Sequence, residues 1–104
     1  MGKREFVAEN EKFAQVSLLL RAIAHPLRLD ILQAIDNHGV ISVKSLVEEL
    51  EIEQSITSQH LGALKQVNLV ESKRDGKFIL YQLRYDKIQM VHDAVQAYLK
   101  KSRP

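Results

Sequence analysis

Residues 54–67 read "QSITSQHLGALKQV", and most of their polar side chains hydrogen-bond without carrying charge. Placed at the helical step of ~100° per residue, Ser55, Ser58, Gln59, Gly62, Lys65 and Gln66 fall on one side. Ile56, His60, Ala63, Leu64 and Val67 fall opposite, with Leu61 at the edge of that group. The first side is expected to face outward and the second to be buried. A merely solvated face would use Lys and Glu. A face of Ser and Gln suits nucleic-acid contact better. Gln can pair bidentately with adenine, Ser can bond to a base or a phosphate, and low charge lets the face enter a groove. Gln54 and Thr57 add hydrogen-bonding groups near the start of the segment. His60 falls toward the inner side, where it either fixes the turn through a hydrogen bond or reaches a phosphate. Gly62 costs about 1 kcal/mol relative to Ala in a helix; it marks either close backbone approach to a partner or a tolerated surface glycine.

Such a face needs a scaffold, and the rest of the chain supplies one. Residues 43–50 form a short helix, with Ser42 as its N-cap and Leu46, Val47 and Leu50 inward. A turn at 51–53 leads into 54–67, and Asn68 follows, a residue that tolerates the left-handed conformation closing helices. Two short helices joined by a tight turn make a helix-turn-helix over 43–67, whose second helix fits the major groove. Residues 69–74 and 77–83 read as strands joined by Asp75-Gly76, a strong hairpin signal. Lys73, Arg74 and Lys77 crowd the tip. A basic tip beside a recognition helix is a wing that touches phosphates or the minor groove; alternatively, its charges protect an edge strand.

Helices over 3–24 and 86–101 flank this core. The first carries Phe6, Phe13 and Leu20 seven apart, with Val16 and Ile23 three residues after Phe13 and Leu20. The last carries Ile88, Val91, Val95, Tyr98 and Leu99 on one side. An apolar stripe on a terminal helix needs a cover. Between them, Pro26 starts a helix ending at Gly39, with Leu27, Ile31, Leu32 and Ile35 on one face, and 40–43 is a short extended link. The whole is a single domain of 104 residues, mainly α with a small β-hairpin (α+β): helix, helix, short strand, helix, helix, hairpin, helix.

Composition narrows the function. Residues 1–53 hold six Lys/Arg against nine Asp/Glu, a net −3, while 54–104 hold nine against four, a net +5. The outward face and the basic tip both lie in the positive half, which fits an anionic partner. No cysteine is present, so disulfides, thiolate metal sites and thiol redox sensing are excluded. Neither a signal peptide nor an apolar run of ~20 residues occurs, so a cytoplasmic place is expected. No phosphate loop, nucleophile motif or carboxylate cluster suggests an enzyme. A winged helix used for protein contact is the alternative, but such a face would expose Tyr, Trp, Met or Leu.

At this point the chain resembles the ArsR/SmtB group of small bacterial winged-helix repressors. The resemblance spans 18–83 and rests on "LLRAIAHPLRLDILQAI" (19–35), "SITSQHLGALKQVNLV" (55–70) and "KRDGKFILYQL" (73–83). Pro26 and Arg28 match the group's Pro-x-Arg, and Ser58, His60 and Leu61 its Ser-x-His-Leu; Asn68-Leu69-Val70 stands where Gly-Leu-Val is usual. The resemblance implies a homodimer through the first and last helices, with Phe6, Phe13, Val16, Leu20, Ile88, Val91, Val95 and Tyr98 at the interface. It further implies repression from an inverted-repeat operator, with DNA contacts from Gln54, Ser55, Thr57, Ser58, Gln59, His60, Lys65, Lys73, Arg74 and Lys77. The group's metal sites do not carry over. Val43-Lys44-Ser45-Leu46 has no Cys-x-Cys. Asp86 is followed by Ile88 rather than a histidine two residues on, and the only later histidine is His92. No metal or other cofactor is expected; the inducer, where one exists, is organic or a protein.

Overall fold

Proline and glycine set the limits of the second helix. The structure, a computed structural model, describes residues 3–102, with side chains described over 11–97 and at 99 and 100. Helix α1 spans Lys3–Ile23 and α2 spans Pro26–His38. Pro26 sits in the first turn of α2, where its missing N–H is no loss. His25 before it is extended, and its Nδ1 accepts from the Leu27 N–H at 3.2 Å. An imidazole thus caps the helix, a role usually held by Ser, Thr, Asn or Asp. Gly39 closes α2 at φ 77° and ψ −58°, and its N–H donates to the Ile35 carbonyl at 2.8 Å.

Strand β1 (Val40–Ser42) follows, then α3 (Val43–Leu50), α4 (Gln54–Gln66), β2 (Val70–Asp75), β3 (Phe78–Leu83) and α5 (Tyr85–Ser102). Every expected helix is present, with ends within a residue of those predicted. Ser42 caps α3 as expected, its Oγ accepting from the Ser45 N–H at 3.1 Å. Asn68 adopts φ 62°, the left-handed closure anticipated after α4. The link at 40–43 does more than expected. It pairs antiparallel with β3, Ile41 opposite Tyr81, giving a three-stranded sheet ordered β1-β3-β2. The hairpin loop is displaced by one residue: Asp75 pairs with Phe78, so Gly76-Lys77 makes the turn instead of Asp75-Gly76. Gly76 has φ 60°, and Lys77 is not among the residues of positive φ. A turn that needs positive φ at its first central position alone is type II′, and a single glycine there satisfies it.

The core lies where α2, α3 and α4 meet the inner face of the sheet. Ile31, Ile35, Leu46, Leu61, Leu64 and Leu69 are fully buried there, joined by Leu19 and Ala22 of α1 and Val91 of α5. Tyr85 fastens the start of α5 to α2 through a 2.7 Å hydrogen bond to Asp36. No described helix is long and apolar enough to cross a membrane.

The terminal helices divide the expected interface set. Phe13, Leu20 and Val95 are exposed, at 61%, 41% and 39%, as are Leu18 and Leu99. Val16 and Val91, however, are buried within the chain, and Ile88 packs against the core. Val16 and Val91 are thus taken up inside the single chain, where α1 packs on α5, while Ile88 stays half-buried. The Phe6 and Tyr98 side chains lie outside the described residues.

A Cβ added at Gly39 would meet nothing within 4 Å, so the backbone alone sets the cost of losing this glycine. Gly39→Ala is expected to destabilise the fold by about 1–3 kcal/mol, read from the urea midpoint at constant slope. An unchanged midpoint would mean that the end of α2 relaxes into another conformation.

Candidate nucleic-acid interface

Helix α3 ends on Glu51, which adopts the left-handed φ of 53° and turns the chain toward α4 within three residues. Helix α4 then packs through Thr57, Leu61 and Leu64, all fully buried. This stripe lies nearly one residue step round the helix from the expected one. Ile56, predicted inside, is 38% exposed. Thr57, predicted at the DNA surface, is inside: its hydroxyl donates to the Glu53 carbonyl at 3.1 Å and lies 3.5 Å from that of Ile52. Thr57 is therefore no contact residue. Satisfied by main-chain carbonyls, its hydroxyl enters the core without the penalty of an unpaired polar group.

The rotation leaves the outward set largely intact. Ser55, Gln59, Gly62 and Gln66 lie opposite the buried stripe and are exposed. Gln54, Ser58 and Lys65 are also exposed and flank the wing side. Glu53, at the N-cap position of α4, makes no side-chain capping bond, so first-turn N–H groups remain for an outside acceptor. Gly62 has only open space around its Cβ position; nothing within the chain demands a glycine there.

The His60 side chain is hydrogen-bonded to α2 rather than to the turn. It is partly buried on the α2 side, and its Nδ1 accepts from Arg28 Nε at 3.2 Å. The His25 ring lies 4.5 Å away, tilted by 51°. Burial, reinforced by the neighbouring His25 and Arg28, holds His60 below the usual histidine value and so favours the neutral ring. Lys65 is exposed, and its Nζ donates to Ser72 Oγ of β2 at 2.7 Å.

The wing stands on the other side of α4. Strand alternation separates its basic residues. Arg74 shares a face with Ser72 and Val70, the face toward α4, whereas Lys73 projects from the opposite face. Lys77 occupies the turn, with its Nζ 5.4 Å from the centre of the Phe78 ring. A groove of about 650 Å³ runs between α4 and the wing, bounded by Gln54 and Ser58 on one side and Lys77 and Ile79 on the other. Its end is formed by Lys44 of α3, which the sequence motifs do not single out. A signal is present nonetheless: Lys44 is the only Lys or Arg between Arg28 and Lys65. Among the described residues none of Lys44, Lys73, Arg74 and Lys77 is held in an ion pair. Free cations around a groove leave a positive potential facing solvent. Among the described residues no group of three or more His, Cys, Asp or Glu could hold a metal.

Comparison with known proteins gives this geometry a context. The family model described as "Bacterial regulatory protein, arsR family" matches residues 25–72, from the α2 cap to the wing. The biofilm growth-associated repressor of Agrobacterium fabrum is 34% identical over 97 residues, covering 93% of this chain and 82% of that protein. The HTH-type transcriptional regulator YgaV of Escherichia coli is 32% identical over 77 residues, 74% of this chain and 78% of its own. Among solved structures, the transcriptional regulator HlyU of Vibrio vulnificus superposes with a TM-score of 0.70 at 28% identity, covering 90% of this chain and 98% of its own. A winged helix-turn-helix with a hydrogen-bonding outer face on α4, matched along nearly its whole length by a named repressor, makes the chain a member of the ArsR family of DNA-binding transcriptional regulators.

Proposed function

We propose that the chain acts as a homodimeric repressor, reading an inverted-repeat operator with α4 while the wing holds flanking phosphates. The observation that carries this reading is the pairing of two surfaces. A neutral face of Ser55, Gln59, Gly62 and Gln66 stands beside a groove rimmed by the unpaired cations Lys44 and Lys77. Base edges are read by the first kind of surface and phosphates are held by the second. Gln54, Ser55, Ser58 and Gln59 contact bases or nearby phosphates from the first turns of α4. Lys65, Lys73, Arg74 and Lys77 contribute to backbone affinity, joined by Lys44.

The homodimer is supported by the apolar side chains left uncovered on α1 and α5: Phe13, Leu18, Leu20, Val95 and Leu99. A two-fold axis through these helices presents two copies of α4 to half-sites about one turn, ~10 bp, apart. The reading includes no resident metal and no thiol sensor, and a cytoplasmic place accords with a DNA-binding regulator.

Selection from a random duplex library near physiological salt tests the reading: an enriched inverted repeat is expected, and salt-sensitive binding without enrichment would overturn it. With the enriched duplex, Gln59→Ala is expected to change base preference. Lys73→Ala, Arg74→Ala and Lys77→Ala are expected to weaken all sequences alike, each lowering the salt slope by about one. A Gln59→Ala variant that behaves like the wing variants would remove Gln59 from base reading. Gly62→Ala is expected to stabilise the fold by about 0.5–1 kcal/mol and yet weaken DNA binding, because the added methyl stands between the helix backbone and the groove. Equal or tighter binding would place Gly62 away from the DNA. Phe13→Glu or Val95→Glu is expected to give monomers in sedimentation; variants that remain dimers would exclude these helices from the interface.

A further inference from the structure

Apolar burial holds α4 against the core but does not fix its rotation finely, because hydrophobic contact is non-directional. Directional bonds lie on its two flanks. On the wing side Lys65 Nζ reaches Ser72 Oγ at 2.7 Å. On the α2 side Arg28 Nε donates to His60 Nδ1 at 3.2 Å, while Arg28 Nη1 donates to the Ala22 carbonyl at 3.1 Å. Ala22 belongs to the last turn of α1, where helical carbonyls have no partner within the helix. One guanidinium therefore ties the end of α1, the start of α2 and the middle of α4.

We infer that Arg28 and His60 are positioning residues for base reading: the Arg28–His60 bond sets the rotation of α4 on the α1–α2 frame, and sequence discrimination depends on it. This rests on the reading of α4 as the base-contacting helix. His60 serves as an acceptor through Nδ1, so the neutral ring carries its proton on Nε2. A proton on Nδ1 abolishes the acceptor and leaves an imidazolium facing a guanidinium. The titratable groups that act on the ring are His25 and Arg28, at the start of α2; among the described residues α1, α3 and β2, which also pack near α4, contribute none to its shift.

The sign follows from the lowered value of His60. The neutral, bonded ring prevails above the ordinary histidine value of about 6.5. As pH falls below that value the unfolded chain takes up the proton first, so folding stability declines with falling pH until the folded protein is protonated too. Discrimination by α4 is expected to be present above that window and lost below it.

The test uses the full chain, the duplex enriched by the wild-type protein and a scrambled duplex of the same composition. The readouts are the ratio of the two affinities, its salt slope, and its profile between about pH 5.5 and 8. Asn places an amide oxygen where Nδ1 stood, whereas Gln places a nitrogen where Nε2 stood. His60→Asn is expected to keep the ratio and flatten the pH profile, with His25 still present. His60→Leu and Arg28→Lys are expected to lower the ratio about tenfold with the salt slope unchanged, since phosphate contacts remain. Where circular dichroism shows His60→Leu unfolded, Arg28→Lys and His60→Asn decide alone.

An unchanged ratio in His60→Leu and Arg28→Lys would overturn the inference. So would retention in His60→Gln with loss in His60→Asn, which would mean that the ring touches DNA through Nε2. Failure of the wild-type protein to enrich any duplex would instead strike the proposed function, and this inference would fall with it.

Discussion

The phase of α4 decides what the molecule presents, and burial of Leu61 and Thr57 selects which side faces the core. A turn of nearly one residue step would bury Ile56, worth about 1.5–3 kcal/mol on full burial. It would also move Leu61 to the edge of the core and carry the Thr57 side chain out of it. The observed phase keeps Leu61 and Leu64 fully buried and gives the Thr57 hydroxyl the Glu53 carbonyl. Burial of Leu61 outweighs that of Ile56, and Thr57 enters the core without penalty because its hydroxyl is satisfied within its own first turn. The left-handed Glu51 contributes by bringing the 52–53 carbonyls back over the first turn of α4. The short turn of the helix-turn-helix thus supplies the acceptors that make a polar residue a core residue.

Much of the frame is legible in the sequence because its signals are local. Pro26, Gly39, Ser42 and Asn68 each act through their own backbone or a capping bond within a few residues, and each does what its chemistry predicts. What escapes the sequence depends on distant partners. The short strand at 40–42 is legible, but its pairing with β3, some forty residues on, is not. Val16 and Val91 look like interface residues until α1 and α5 are placed together in one chain. The phase of α4 resists periodicity because Thr57 counts as polar by type and as buried by circumstance. The hairpin offset has the same character: Asp75-Gly76 suits one turn type, and pairing of Asp75 with Phe78 selects another.

The site is legible to a different degree. Ser55, Ser58 and Gln59 stay outward because the outward face is broad enough to survive the rotation. The wing cations form a single group in the sequence, but pleating distinguishes them: Arg74 stands on the face toward α4 and Lys73 on the other. Lys44 shows the converse case. It carries no motif, and only the meeting of α3 with the wing turn makes it part of a groove. Charge composition locates the basic half of the chain, and tertiary structure gathers one further cation from the acidic half.

A recognition helix is useful only as far as its orientation is defined, since a bidentate bond to a base edge weakens steeply with angle. The ties on either side of α4 differ in kind. The Lys65–Ser72 bond is exposed and links α4 to the wing, an element that itself projects from the core. The Arg28–His60 bond is partly buried and links α4 to the start of α2, whose own face is packed in the core. Arg28 also holds the last turn of α1, the helix whose exposed Phe13 and Leu20 require a cover. A single guanidinium thus contacts both the last turn of α1 and the middle of α4.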